Sequence, residues 1–200
     1  MRGMRRLLLL VAAGILLGLA ACSRAPSPWA LTDVRGHLPD LRFHLIDDRG
    51  RPVSGARYRG KVAVLYFGYT HCPDVCPTTL AHLTVVLQNL GPLAERVRVL
   101  FVSVDPRRDT PAVLREYVHA FGPHIVGLTG TPDEIARVAK RYRVAYSYGR
   151  PDAQGNYTVN HSAALFVFDA QGRARLLGTQ QSTVQQLTHD LRLLLTEEHA

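Results

Sequence analysis

Apolar residues along this chain follow two regular patterns, short runs and stripes with helical spacing. Residues 62–67 and 97–104 are predominantly apolar, as expected for strands that are covered on both faces of a sheet. Between these runs, four leucines recur at helical spacing and predict one buried helical face: Leu80, Leu83, Leu87 and Leu90. A glycine and a proline follow and end this helix. The order strand, helix, strand predicts a parallel pair of strands joined by the helix.

Three later helices carry start signals. Thr110 precedes a proline, which is typical of a cap followed by the first helical position. Thr131 and Glu134 have the spacing of a capping box. Ser182 with Gln185 has the same spacing and predicts the start of the last helix.

Two hairpins complete the pattern. In residues 41–53, apolar and polar positions alternate on the two sides of a polar turn, which predicts the first hairpin. Residues 163–178 contain two apolar runs that predict a second hairpin, which we expect at an edge of the sheet. Shorter strands are predicted at 125–128 and 145–148. This order predicts an α/β fold with a mixed central sheet, helices on both faces and an N-terminal hairpin.

The N-terminus has the pattern of a targeting segment. Basic residues precede an apolar run that is too short to span a bilayer comfortably, and small residues precede Cys22. Residues 1–21 therefore resemble a lipoprotein-type signal peptide, which would make Cys22 the lipidated first residue; an uncleaved short anchor is the alternative. Residues 22–38 then read as a membrane-proximal linker and 39–200 as the folded domain. Both readings place the domain in the periplasm or extracytoplasmic space, on the outer face of the cytoplasmic membrane.

The charge, methionine content and cysteine content of the chain limit the partners and metal ligands to be considered. The formal net charge is +8, but the basic residues are scattered and three of them lie in the signal peptide, so no nucleic-acid partner is indicated. Both methionines also lie there, which leaves the mature chain no thioether ligand. With Cys22 acylated, Cys72 and Cys76 form an isolated pair rather than a disulfide framework.

The two cysteines lie in segment 69–77, between a buried strand and a helix that we expect to begin near Thr78. A helix N-terminus favours negative charge, so both thiols are expected to have lowered pKa values. Thiolates bind soft metals and also attack disulfides. Pro77 disfavours helical geometry at Cys76, which predicts that the pair occupies a bent loop before the helix.

A histidine is the expected third member of a metal site. A strand followed at once by a cysteine pair at a helix start resembles the thioredoxin-like group, in which the loop entering a later strand passes the cysteines and carries a cis-proline. Here that loop contains His161 and lacks the proline, so His161 is the favoured third ligand. His71 is a rival, ranked lower because adjacent residues point apart and His71 adjoins Cys72.

Two aspartates are secondary candidates. Asp74 either complements the charge of a metal and helps to recognise an acceptor, or stabilises the helix start. Asp105 ends a strand at the functional edge of the sheet, but an aspartate before a proline is also ordinary turn chemistry, which we favour.

Four motifs in sequence order resemble the Sco family, also called SenC or PrrC. They cover most of the mature domain and lie at residues 68–77, 104–110, 126–130 and 159–161. The resemblance implies a thioredoxin fold that binds one copper ion, Cu(I) or Cu(II), through Cys72, Cys76 and His161. It also implies delivery of copper to the CuA site of cytochrome c oxidase subunit II, or reduction of the cysteines of that site. Another copper carrier or a thioredoxin-like reductant would be a further partner.

One departure from the family pattern affects the expected copper affinity. The family often carries an aspartate before the histidine, where this chain has Asn160. An acidic neighbour would raise imidazole basicity, so the asparagine is expected to weaken Cu(II) binding without removing a ligand.

Other functions use the same residues. A thiol–disulfide oxidoreductase acting on extracytoplasmic proteins would use Cys72 and Cys76 as its redox pair, although the missing proline and the three-residue spacer argue against general peptide substrates. A Cys₂His set with water would also suit zinc, but no base is evident for hydrolysis. The sequence favours a metallochaperone over an enzyme.

Overall fold

The computed structural model describes residues 27–197, so the predicted signal peptide and Cys22 lie outside the described residues. The described strands are β1 (Thr32–Asp33), β2 (His44–Asp47), β3 (Pro52–Ser54), β4 (Val62–Gly68), β5 (Val97–Ser103), β6 (Ile125–Thr129), β7 (Tyr146–Tyr148), β8 (Val159–His161), β9 (Leu165–Phe168) and β10 (Ala174–Gly178). The described α-helices are α1 (Val75–Leu90), α2 (Pro111–His119), α3 (Pro132–Arg141) and α4 (Val184–Glu197).

Eight of the described strands form one mixed sheet in the order β1-β10-β9-β4-β5-β6-β2-β3. Strands β4, β5 and β6 are parallel, and the remaining neighbours are antiparallel. The N-terminal hairpin is β2–β3, as predicted. Strands β7 and β8 pair with each other as a separate two-stranded ribbon. The mixed sheet predicted from the sequence is therefore confirmed.

Helices cover both faces of this sheet. Every residue of β4 is buried, and since successive side chains point to opposite faces, both faces are covered. On one face the ring of Tyr117 in α2 lies 5.6 Å from that of Phe101 in β5. On the other face Phe67 contacts Tyr142, which directly follows α3, with ring centroids 6.3 Å apart. Helix α4 packs against α1.

Helices α2 and α3 begin at their predicted caps. The side chain of Thr110 accepts a hydrogen bond from the backbone N–H of Val113. Thr131 and Glu134 form both hydrogen bonds of a capping box.

The predicted cap of α4 is wrong by one residue. The hydroxyl of Thr183 accepts from the N–H of Gln186, whose side chain accepts in return from the N–H of Thr183. Ser182 and Gln185 have the same spacing, so the sequence pattern alone did not separate the two registers. The hydroxyl of Ser182 instead accepts from the preceding turn.

The predicted linker, residues 22–38, differs from the structure from Trp29 onward. Trp29, Leu31 and Val34 are buried, and β1 pairs with β10, so β10 is not the edge strand we expected. The buried carboxylate of Asp190 in α4 accepts two backbone hydrogen bonds from this segment, at 3.0 and 2.7 Å. This contact joins residues about 160 positions apart, which local composition does not reveal. Among the described helices, none is long and apolar enough to cross a membrane.

Candidate metal centre

The cysteine segment enters α1 earlier than predicted. Helix α1 begins at Val75, so Cys76 lies in its first turn and only Cys72 lies in the preceding loop. The expectation that both cysteines precede the helix is therefore wrong. Pro77 is tolerated because the first backbone N–H groups of a helix have no intrahelical acceptor, and a proline there removes no hydrogen bond.

Three candidate ligand atoms converge at this helix start. The Sγ atoms of Cys72 and Cys76 and a ring nitrogen of His161 all lie within 4.8 Å of one another. The Sγ of Cys76 lies 3.3 Å from Nε2 of His161. The backbone N–H of Cys76 donates to Sγ of Cys72, also at 3.3 Å. Both cysteines are free thiols in this structure.

The ring of His161 is oriented for ligation by its own backbone surroundings. Its Nδ1 lies 3.2 Å from the carbonyl oxygen of Ser162. Because a carbonyl only accepts, Nδ1 carries the proton and Nε2 presents its lone pair to the sulfurs. Burial lowers the pKa of His161, which favours the neutral ring that binds metals. Tyr66 and Tyr69 fix the ring through edge contacts at 6.2 and 6.0 Å between ring centroids.

The pKa of the Cys76 thiol differs from the prediction. Cys76 is fully buried, and this burial raises the pKa of its thiol to about 12. The prediction of a lowered pKa is therefore wrong for Cys76, because removal of the thiolate from water outweighs the favourable helix N-terminus. The metal-free thiol is protonated near neutral pH, so a metal must displace that proton to bind.

Asp109, which the sequence analysis did not single out, holds the loop before Cys72 in place. Its carboxylate is fully buried and accepts from the backbone N–H of Thr70 at 3.0 Å and from the hydroxyl of Thr70 at 2.6 Å. It also accepts from the hydroxyl of Ser103, at the end of β5, at 2.6 Å. Asp109 lies within the motif at 104–110, but nothing in its spacing showed that the carboxylate returns to the cysteine loop.

Three of the secondary candidates lie outside the three-residue cluster. His71 is exposed, and its Nδ1 lies 3.0 Å from the hydroxyl of Thr70. Asp74 is exposed at the N-cap of α1 and makes no side-chain capping bond. Asn160 is exposed on β8 beside His161.

Asp105 begins the turn that we favoured, since its carbonyl accepts from the N–H groups of Arg108 and Asp109, but its side chain has a further role. It is fully buried, accepts a hydrogen bond from the hydroxyl of Tyr157 at 2.8 Å and pairs with Nε of Arg108. The guanidinium carbon of Arg108 also lies 3.7 Å from the centre of the Tyr157 ring. Asp105 therefore anchors the connection that leads into β8 and His161.

Gly68 provides space for the sulfur of Cys76. A Cβ atom at position 68 would lie 2.9 Å from Sγ of Cys76 and 2.6 Å from the ring of Phe101. We predict that Gly68→Ala displaces the sulfur, costs about 1–3 kcal/mol of stability through overpacking and weakens metal binding. Urea unfolding and a metal titration measure the two effects separately. Wild-type behaviour in both would contradict this close packing.

A mixed sheet that places two thiols and an imidazole together at a helix start defines a thioredoxin-like domain with a soft-metal site. The chain belongs to the SCO1/SenC family, whose family model it matches over residues 35–196. It is 41% identical over 152 residues to "Protein SCO2 homolog, mitochondrial" of Bos taurus, covering 75% of this chain and 57% of that protein. It is 42% identical over 134 residues to "Protein SCO2, mitochondrial" of Saccharomyces cerevisiae, covering 66% of this chain and 44% of that protein. The chain thus spans about half the length of these relatives.

Solved structures show the same fold. Arabidopsis thaliana ScoI with copper bound is similar with a TM-score of 0.74 and 34% identity, covering 79% of this chain and 98% of that one. Bradyrhizobium japonicum ScoI with copper bound has a TM-score of 0.71 and 40% identity, covering 78% of this chain and 98% of that one. Apo Sco1 from Thermus thermophilus has a TM-score of 0.72 and 37% identity, covering 82% of this chain and 98% of that one. The predicted thioredoxin-like fold is confirmed, and Cys72, Cys76 and His161 form a candidate copper site.

Proposed function

We propose that this protein is a membrane-tethered copper carrier that serves the CuA site of cytochrome c oxidase subunit II during assembly, by delivering copper or by reducing the cysteines of that site. The convergence of Cys72, Cys76 and His161 is the observation that carries the proposal. Copper is the cargo, one ion per chain, with these three residues as its ligands. Membership of a family whose solved members include copper-bound proteins supports the choice of metal.

The exposure of the site suits a metal that must be handed on. Cys76 is buried, whereas Cys72 and His161 are only partly buried. An open surface groove of about 360 Å³ lies along the ribbon of β7 and β8 and is lined in part by His161, although by neither cysteine. The described cluster contains two sulfurs and one nitrogen, a set that suits Cu(I) and leaves a coordination position for a ligand from an acceptor.

Copper loading should depend on the redox state of the cysteine pair. Oxidation of Cys72 and Cys76 to a disulfide consumes both thiolate ligands, so a reductant in the extracytoplasmic space must act before copper binds. We predict one tightly bound copper ion per reduced chain and almost none per oxidised chain. Anaerobic titration of both forms measures this, and equal stoichiometry would contradict the assigned ligands.

His161 and His71 both lie near the cysteines, so their alanine variants allow a matched comparison. We predict that His161→Ala weakens Cu(II) binding by at least about 10–100-fold, the loss typical for a group that only orients a ligand, and changes its visible spectrum, because here the ligand itself is lost. His71→Ala should leave both unchanged, since the ring of His71 faces Thr70. Spectrophotometric titration of the two variants measures this. The reverse result would assign the third ligand to His71.

The proposed function is tested by mixing copper-loaded protein with the reduced apo domain of oxidase subunit II. Separation of the two proteins followed by metal analysis should find copper on the subunit II domain. A parallel mixture of reduced, metal-free protein with the oxidised subunit II domain measures thiol–disulfide exchange, in which the disulfide of subunit II is reduced while Cys72 and Cys76 are oxidised to a disulfide. Copper transfer alone supports delivery, and thiol–disulfide exchange alone supports the reductase role. If neither occurs, the proposed partner is wrong.

The membrane tether is a separate part of the proposal. The signal-like segment 1–21 and the position of Cys22 support lipid anchoring on the outer face of the cytoplasmic membrane. Replacement of Cys22 by serine should abolish the lipid-modified mass of the mature protein. A mass that differs from that of the wild type only by the exchange of sulfur for oxygen would favour an uncleaved anchor.

A further inference from the structure

The loop that joins β5 to α2, residues 104–110, contacts the two-stranded ribbon that carries His161. The carbonyl oxygen of Val104 accepts a hydrogen bond from the hydroxyl of Tyr148 in β7 at 2.8 Å. Tyr148 pairs with Val159 in β8, two residues before His161. Strands β7 and β8 lie outside the eight-stranded sheet, so the hydrogen bonds of that sheet do not hold the ribbon. Contacts with the neighbouring loops therefore help to set the position of His161.

Arg108, in the same loop, contacts two aromatic rings of this region. Its guanidinium carbon lies 3.7 Å from the centre of the Tyr157 ring and 5.9 Å from the centre of the Tyr69 ring. Tyr157 lies two residues before β8, and the Tyr69 ring contacts the ring of His161 edge-on, with 6.0 Å between centroids. A cation over the face of a tyrosine ring is attracted to it at these distances. Arg108 therefore acts on the chain that leads into β8 and, through Tyr69, on the imidazole.

The ion pair with Asp105 does not by itself account for an arginine at position 108. The Nε of Arg108 pairs with the buried carboxylate of Asp105, and a lysine ammonium would also neutralise that charge. The Nη2 of Arg108 is buried and has no hydrogen-bond partner in the part of the chain that the structure describes. Such burial has a cost. A planar guanidinium offsets it by stacking on aromatic rings while it binds a carboxylate, which an ammonium cannot do.

The two cysteines are held by contacts that do not involve the side chain of Arg108. Cys76 lies in the first turn of α1, and Asp109 accepts two hydrogen bonds from Thr70 in the loop before Cys72. A change confined to the aromatic contacts of Arg108 should therefore leave the sulfurs in place.

We propose that Arg108 is a positioning residue of the metal centre, which fixes His161 relative to the two sulfurs through Tyr157 and Tyr69. Groups that orient a metal-binding histidine from outside the ligand set raise the metal affinity, because the ring does not have to be ordered when the metal binds. The choice of copper as the metal rests on the proposed function. The arrangement of the rings is a property of the metal-free protein.

A double-mutant cycle separates positioning from general stability. Arg108→Lys keeps a positive charge beside Asp105 but removes the planar group. We expect it to weaken Cu(II) binding about tenfold in the wild-type background and to have no effect in the His161→Ala background, because it acts through the imidazole. Arg107→Lys changes the exposed neighbour and should match the wild type. Equal losses in both backgrounds, or no loss in either, would overturn the inference.

NMR spectroscopy of the metal-free protein tests the same inference without copper. The rings of Tyr69 and His161 should give cross-peaks between their protons in the wild type, because they are in edge contact. We expect these cross-peaks to disappear in Arg108→Lys and to persist in Arg107→Lys. That result supports the inference even if the wild type binds no copper and the proposed function is wrong. Cross-peaks that persist in Arg108→Lys, or that are lost in both variants, would overturn it.

Discussion

We expect Cys76→Ser to lower the affinity for Cu(I) by roughly a hundred- to a thousandfold, the share of one ligand in a multidentate thiolate site. The serine hydroxyl is a hard donor and stays protonated near neutral pH, so it does not replace a soft thiolate. It fits the volume of the thiol and can donate to Nε2 of His161, so the fold should persist. Competition with a Cu(I) chelator under anaerobic conditions measures the affinity.

Cys72→Ser gives the matched result, because both sulfurs lie within 4.8 Å of the histidine nitrogen. Circular dichroism controls for folding in both variants. If either variant keeps an affinity within about threefold of the wild type, that cysteine is not a ligand.

We expect Asp109→Ala to lower the free energy of unfolding by about 3–5 kcal/mol, because the three donors that hydrogen-bond to the buried carboxylate lose this acceptor. Two of those donors belong to Thr70, so the loop before Cys72 loses its attachment to β5. We therefore expect weaker copper binding together with lower stability. Urea unfolding measures the first quantity and chelator competition the second.

Two variants control for this interpretation. Asp109→Asn keeps one acceptor oxygen but turns an NH₂ group toward a donor, so its loss of stability should be intermediate. Glu116→Ala removes an exposed carboxylate from α2 and should change stability by less than about 0.5 kcal/mol. A loss below about 1 kcal/mol for Asp109→Ala would show that the three hydrogen bonds do not hold the loop.

The parts of the fold that were predictable from the sequence depend on local patterns. The apolar runs of β4 and β5 and the caps at Thr110 and Thr131 each involve residues within a few positions of one another. The packing of the segment that contains Trp29 was missed because it depends on hydrogen bonds from the next two residues, Ala30 and Leu31, to Asp190 in the last helix. Long-range contacts of this kind leave no periodic signal in a single sequence.

At the candidate site too, features that depend on local sequence were predicted, whereas features that depend on long-range contacts were missed. The residue types at 72, 76 and 161 indicated a soft-metal site, and the order of elements indicated that they would meet. The acidity of Cys76 was predicted with the wrong sign, because a helix start is visible in the sequence whereas complete burial of one sulfur is not. Asp109 was missed because its role depends on the approach of two loops from neighbouring strands.

X-ray absorption spectroscopy at the copper edge tests the central claim most directly. Reduced protein loaded with one equivalent of Cu(I) should show two sulfur scatterers and one imidazole nitrogen in the first shell. Cys72→Ser should lose one sulfur, and His161→Ala should lose the imidazole contribution. A first shell of nitrogen and oxygen alone, or one that is unchanged in both variants, would contradict the assignment of Cys72, Cys76 and His161 as the copper ligands.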